Sequence, residues 1–235
     1  MVVASVSLLV AVPGRERAAG GRMVTGSLVW RRLVLVGTPL ALAVLEIFHP
    51  QPTGAVEAVE QGEWFFWFHM IQVPLIGLIA LAVYLLTEGL VGRAVTVSRW
   101  AAGVFAVFFS AYDAAAGIAT GFVLRSAEGL SADEQAVVFE MVKDMPEVSL
   151  IFILSIVGTA GWVVALIAAA VALRRAGAAR GPFVLLILAG VFLLGGHPFP
   201  FGTLAFGCFA LASAWLELTS RSSTSVAQPR DDTSP

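Results

Sequence analysis

The side chains best suited to chemistry in this sequence are its three histidines, His49, His69 and His197. Each lies at or near the end of an apolar segment, and Glu46 precedes His49 by about one helical turn. Imidazole and carboxylate groups bind zinc, copper and iron. We therefore predict that His49, His69 and His197 are metal ligands at a zinc or copper site. The alternative cofactor is haem, held axially by His69 and His197.

Two carboxylates, Asp113 and Glu46, are the predicted catalytic groups. Asp113 lies about midway between Arg99 and Arg125 in an apolar segment, which places it near the bilayer midplane. Intramembrane carboxylates avoid lipid and usually mark a site. Asp113 also shares a helical face with small residues that let helices approach closely: Gly103, Ala106, Ser110, Gly117, Thr120 and Gly121. The alternative is therefore a packing seam, with Asp113 hydrogen-bonded to Thr38, Ser155 or Thr159.

The elements that position these residues are predicted to be membrane-spanning helices. Hydrophobic residues make up 58% of the chain and charged residues 13%, with a mean hydropathy of +0.89. Soluble domains are about 45–50% apolar and about 25% charged. We expect an all-α integral membrane protein with six transmembrane helices, at Leu28–Phe48, Trp64–Leu86, Trp100–Leu124, Val148–Leu173, Pro182–Gly196 and Thr203–Leu218.

The distribution of basic residues predicts the orientation. With a cytoplasmic N-terminus, six spans place all 14 basic residues inside except Arg125 and Lys143. We therefore predict a multi-pass protein of the cell membrane with both termini cytoplasmic, and its partner is the lipid bilayer. The basic residues form no patch with aromatics, so no nucleic-acid partner is expected. The sequence leaves open whether the chain forms a homo-oligomer or joins a larger membrane complex.

The two ends of the chain differ from the membrane domain, which is predicted at 23–220. Residues 1–22 contain an apolar run too short to span, so they form a leader or the native chain begins at Met23. Residues 221–235 are polar and are predicted to be a disordered cytoplasmic tail. The single cysteine, Cys208, excludes an intramolecular disulfide.

The last two predicted spans are short, and the segment that joins them, GGHPFPFG, is too rich in glycine and proline to continue a helix. Their junction is expected to lie below the outer surface, where irregular backbone must be buried in protein or line a cavity. His197 is therefore predicted to be recessed. Because His69 and Gln72 share a helix face at a similar depth, we expect at least two of the histidines to lie within about 8 Å of each other.

The second outer loop contains a predicted amphipathic helix between spans 3 and 4, over residues 131–145. Ser131 and Glu134 form a capping-box pattern, apolar residues recur at helical spacing, and Pro146 ends the helix. This helix is expected either to lie on the outer leaflet or to cover the histidine site.

These features favour an outward-facing histidine and carboxylate site in a membrane oxidoreductase or hydrolase. The combination of three histidines and a carboxylate is similar to membrane-embedded zinc hydrolases of the ceramidase type. Those have seven spans and a paired histidine spacing that this chain lacks, so membership is not inferred. The sequence contains no HExxH, P-loop, CxxC or Rossmann glycine pattern. The alternatives are a proton-coupled small transporter and a non-catalytic subunit of a membrane complex.

Overall fold

The computed structural model describes residues 28–225, and these form only helices and their connections. In chain order the helices are α1 (Leu28–Ile47), α2 (Ala55–Glu60), α3 (Gly62–Leu86), α4 (Arg93–Ser126), α5 (Ala132–Val142), α6 (Ser149–Arg175), α7 (Arg180–Phe192) and α8 (Phe201–Ser225). The all-α prediction is confirmed for this part of the chain. The predicted leader lies outside it.

Five of these helices, α1, α3, α4, α6 and α8, are long and apolar enough to cross a membrane. The fifth predicted span is the shorter α7, which has 13 residues and continues into a 3-10 turn at Leu193–Gly195. Its α-helical part is about 20 Å long, less than the roughly 30 Å of hydrocarbon in a bilayer. The chain therefore has the helices of a multi-pass membrane protein, while six spans and the orientation stay predictions.

Two π-helical turns interrupt the long helices, one at Leu33–Gly37 in α1 and one at Ala114–Ile118 in α4. Regular helical periodicity does not predict them. A π turn changes the direction in which the following side chains point, and such turns are frequent at functional sites. The turn in α4 begins directly after Asp113, so it rotates Gly117 and the residues beyond it relative to the first half of the helix.

Glycines bring the helices into close contact. A Cβ atom on Gly158 of α6 would lie 2.8 Å from the backbone nitrogen of Phe109 in α4, and one on Gly161 would lie 2.8 Å from that of Phe105. In lipid, such close packing replaces the hydrophobic effect as the source of helix association. The small-residue stripe predicted on α4 makes close contacts at Gly117 and Gly121, both against α3.

An apolar core fills the bundle beyond the histidine end. Its largest fully buried side chains include Phe105, Trp162 and Phe206, which lie about one to two helical turns from the polar residues described below. The Trp162 Nε1 donates a hydrogen bond of 2.9 Å to the Ala189 carbonyl oxygen. At the opposite end, Arg31 forms ion pairs with Glu88 and Glu217.

The predicted amphipathic helix is present as α5, and its capping box is confirmed. The Ser131 hydroxyl accepts from the Glu134 backbone, and the Glu134 carboxylate accepts from Ser131, which holds the pKa of Glu134 below its ordinary value. Val142 of α5 is buried with Ala58 and Val59 of α2, a helix that the sequence analysis did not predict. The two helical connections, α2 and α5, therefore pack on each other at the histidine end of the bundle.

Candidate metal centre

The three histidines converge on one cluster. One ring nitrogen of each of His49, His69 and His197 lies within 4.8 Å of the other two. The ring centroid of His49 is 5.4 Å from that of His69 and 4.8 Å from that of His197. The predicted convergence is confirmed, and the rings face one another instead of separate lipid-facing surfaces.

His49 lies in the segment that follows α1. The helix ends at Ile47, and Pro50 prevents its continuation. The Trp64 Nε1 of α3 donates a hydrogen bond of 2.9 Å to the Phe48 carbonyl oxygen, one of the oxygens that a helix end leaves without a helical partner. The His49 Nδ1 donates to the Pro50 carbonyl oxygen at 2.9 Å. Together these contacts fix the partly buried ring and its tautomer.

His69 lies in the second turn of α3 and is buried. Its Nδ1 donates to the Phe65 carbonyl oxygen, one helical turn earlier, at 2.7 Å. The ring fits against the π turn of α4 because Gly117 has no side chain: a Cβ atom there would overlap the imidazole. The π turn and this glycine therefore create the space that His69 occupies.

His197 lies in the link between α7 and α8 and is only 8% exposed, as its predicted recess requires. The chain turns at Gly196, whose φ of +100° is unfavourable for other residues. The His197 Nδ1 lies 3.4 Å from the Glu46 carboxylate. Gly202, at the start of α8, permits this arrangement, since a Cβ there would overlap the His197 backbone oxygen.

Glu46 is completely buried and binds the side chains beside it. Its Oε1 accepts a hydrogen bond of 2.7 Å from the Gln72 amide, and its Oε2 faces His197. The Gln72 Nε2 also lies 3.5 Å from the His197 Nδ1, but its bond to Glu46 is much shorter. Because an ionised carboxylate can only accept, we assign the proton of that imidazole to the Nδ1 that faces Glu46. Gln72, expected to form a polar patch with His69, thus joins α3 to α1.

A single pattern unites the three imidazoles. Each Nδ1 faces an acceptor: the Pro50 carbonyl for His49, the Phe65 carbonyl for His69 and the Glu46 carboxylate for His197. Each Nε2 then carries the lone pair. Metal-binding histidines nearly always donate their second ring nitrogen to a carbonyl or carboxylate in this way. The His49 Nε2 is buried and has no partner within residues 28–225.

Asp113 lies beside the cluster and is 1% exposed. Its Oδ1 is 3.9 Å from the His69 Nε2, too far for a hydrogen bond, and neither oxygen has a hydrogen-bond partner among the described residues. The packing-seam alternative considered Thr38, Ser155 or Thr159 as the partner of Asp113, and none of them bonds it. The Thr38 hydroxyl contacts Leu33 of its own helix, while Ser155 and Thr159 line a cavity with Asp113.

This cavity has a volume of about 210 Å³ and will be called the histidine cavity. It is lined by all three histidines and by Asp113, but not by Glu46, which lies behind His197. Pro146, in the turn after α5, also lines it, whereas no residue of α5 itself does. Tyr112, next to Asp113, also lines it, and sequence reasoning did not identify that residue.

Comparisons with known proteins give no match to this chain, whether with protein-family models, curated proteins or solved structures. The functional argument therefore depends on the geometry of the site.

Proposed function

We propose that this chain is a membrane-embedded zinc protein in which His49, His69 and His197 bind the ion and an activated water performs hydrolysis. The observation that carries the proposal is the arrangement of the three imidazoles. Their nitrogens are within 4.8 Å of one another, and every Nδ1 faces a hydrogen-bond acceptor that leaves Nε2 for a metal.

The distances suit a tetrahedral ion after a small contraction. Zinc–nitrogen bonds of about 2.0–2.1 Å at the tetrahedral angle place ligand nitrogens about 3.3 Å apart. The ring nitrogens here lie within 4.8 Å, so each ring has to move by about an ångström or less toward a common centre. Three protein ligands leave a fourth position for water, as in catalytic zinc sites.

Charge balance supports a dication. Glu46 and Asp113 are both buried, and within residues 28–225 neither forms an ion pair with a lysine or arginine. Two carboxylates without a compensating charge are costly to bury in hydrocarbon. A zinc ion with three neutral imidazoles carries two positive charges, which these two carboxylates balance. The same pair of charges also strengthens binding of the ion.

The two carboxylates have different roles in this proposal. Asp113 lines the histidine cavity, and neither of its oxygens has a partner among the described residues, so it would be the general base that takes a proton from a water molecule on the bound ion. Glu46 does not line the cavity and is bonded to Gln72, so it orients His197. We thus infer that Asp113 is catalytic, whereas Glu46 is a positioning residue.

The cavity volume favours a single ion over haem. Pockets for drug-sized ligands measure about 300–1,000 Å³, and haem is as large as many such ligands. The histidine cavity measures about 210 Å³, and the His49 ring occupies the space beside His69 and His197. Zinc is preferred to copper because three imidazoles around an open fourth position suit a tetrahedral ion, while copper(II) prefers tetragonal geometry.

The apolar core weighs against proton-coupled transport. A transporter needs a polar route from its binding site to each side of the membrane. Beyond the histidine cavity, Ile76, Phe105 and Trp162 are fully buried and fill the next one to two helical turns of the bundle. This apolar packing separates the cavity from the other end of the bundle, and hydrolysis at one end needs no route through it. The alternative of a non-catalytic subunit gains no support from the converging rings.

Metal analysis of the purified protein tests the proposal. The detergent-solubilised chain is expected to contain about one zinc per molecule by mass spectrometry, with no Soret band in its visible spectrum. Substituting His69→Ala should remove the zinc, while the control Gln61→Ala, at a half-buried turn outside the cluster, should retain it. A protein without stoichiometric metal after growth and reconstitution with zinc contradicts the proposal, and a Soret band replaces it with haem.

A further inference from the structure

A second cavity lies directly beside the histidine cavity. It measures about 220 Å³ and shares three wall residues, Phe65, Ala116 and Pro146, with its neighbour. It extends between α4 and the outer helix α5, and the rest of its lining is Pro52, Thr120, Leu124, Phe139, Val142 and Lys143. The shared wall makes it the nearest space for any part of a substrate that does not fit beside the metal.

The lining of this second cavity is chemically different from that of the first. Leu124 and Val142 are buried, and Lys143 lies at the surface with its ammonium paired to Glu140 at 2.7 Å. An apolar cavity of this kind has too few polar partners to hold ordered water firmly, and it binds apolar groups instead. Its lining therefore suits a hydrocarbon group and not a second polar headgroup.

One polar atom in the second cavity lacks a partner. Thr120 is 7% exposed, and its Oγ1 has no hydrogen-bond partner in the part of the chain that the structure describes. Buried hydroxyls are normally hydrogen-bonded, so this one is available to a polar atom of a ligand, whereas the apolar lining around it is not. Thr120 lies one turn beyond Ala116 on α4, within reach of a ligand that crosses the shared wall.

We propose that the second cavity binds the apolar arm of an amphiphilic substrate whose polar, hydrolysable group lies at the histidine centre. The inference rests on the proposed function, because it takes the metal as the site of the polar group. The substrate class is then a small amphiphile: a headgroup of the size of the histidine cavity, joined to a hydrocarbon arm that passes Phe65 and Ala116. Hydrolysis separates the headgroup from the arm.

The test uses straight-chain alkyl hydroxamic acids, which bind zinc through the hydroxamate and carry an arm of chosen length. Dissociation constants of acetohydroxamic, butanohydroxamic and hexanohydroxamic acid are measured by calorimetry on the zinc-loaded protein in detergent. Each methylene that enters the second cavity is expected to tighten binding about fourfold. Acetohydroxamic acid, with only a methyl group, reports on the metal alone.

Two matched variants separate the cavity from partition into detergent. Thr120→Leu fills the second cavity, while Ser126→Leu adds the same side chain to an exposed position on the same helix. Thr120→Leu should weaken hexanohydroxamic acid at least tenfold and leave acetohydroxamic acid unchanged, and Ser126→Leu should alter neither. If Thr120→Leu does not fold, Phe139→Trp narrows the same cavity from the outer helix and should have the same effect.

The outcomes distinguish this inference from the proposed function. Zinc binding and acetohydroxamate binding without any dependence on chain length overturn the arm-binding cavity and leave the metal centre intact. An equal effect of Thr120→Leu and Ser126→Leu does the same. A protein that holds no zinc and binds no acetohydroxamate overturns both proposals.

Discussion

Replacing Gly117 by alanine puts a methyl group where the His69 ring lies. The backbone there is helical, so alanine meets no conformational strain, and the effect comes from the overlap alone. His69 can avoid the methyl group only by rotating away from the cluster, which also breaks its hydrogen bond to the Phe65 carbonyl oxygen. Overpacking of a well-filled site costs about 1–3 kcal/mol, so zinc affinity should fall about 5- to 150-fold.

The stability of the metal-free protein should change little. Alanine is favoured over glycine inside a helix by about 0.8–1.0 kcal/mol, which offsets part of the overlap. Gly103→Ala is the matched control on the same helix, because its Cβ atom meets nothing within 4 Å among the described residues. Chelator competition should therefore show weaker zinc binding for Gly117→Ala and unchanged binding for Gly103→Ala. Unchanged affinity in a folded Gly117→Ala protein would refute the role assigned to His69.

Three further substitutions test the roles of Asp113, Gln72 and Trp162. Asp113→Leu should stabilise the metal-free protein against thermal unfolding by about 1–4 kcal/mol, because it removes a buried carboxylate without a partner among the described residues. With zinc bound, this gain in stability should shrink or reverse. Equal gains with and without zinc would exclude charge balance by Asp113. Gln72→Leu leaves an oxygen of Glu46 unpaired and should weaken zinc binding about 10- to 100-fold in the same competition assay; wild-type affinity would contradict an orienting role for this hydrogen bond. Trp162→Phe removes the buried bond to Ala189 and should cost about 1–3 kcal/mol in thermal unfolding without altering zinc affinity. Loss of zinc in that variant would show that the core and the centre are not independent.

Run length and composition were sufficient to locate the long helices, because a bilayer imposes a minimum length on every apolar segment. Predicted and observed bounds differ by two residues or fewer at α3 and at most of the other ends. At the start of α4 the helix begins at Arg93 instead of Trp100, because polar residues outside the hydrocarbon can still be helical. The short helix α2 was not predicted, since six residues carry too little periodicity to recognise.

The convergence of His49, His69 and His197 could be predicted because all three lie at the same ends of neighbouring segments. The partners of the carboxylates could not. Depth along a helix follows from residue count, but the direction of a side chain around the axis depends on local winding. The hydroxyls considered as partners of Asp113 belong to other helices, α1 and α6, and residue count does not give the direction in which those helices present them. Likewise, the bond from Gln72 to Glu46 depends on how α1 and α3 pack.

The order of the three histidines along the chain also bears on how the protein is made. His49 directly follows α1 and His69 lies in α3, the first long helices to be synthesised, whereas His197 lies in the link between the last pair, α7 and α8. Until that final pair is inserted, a growing chain has only two of the three imidazoles. It also lacks the contact between the Glu46 carboxylate and the His197 ring. Zinc retention would therefore begin only at the end of biogenesis, when α8 packs beside α1 and closes the ring of helices. Metal content would then measure the fraction of molecules that have completed assembly.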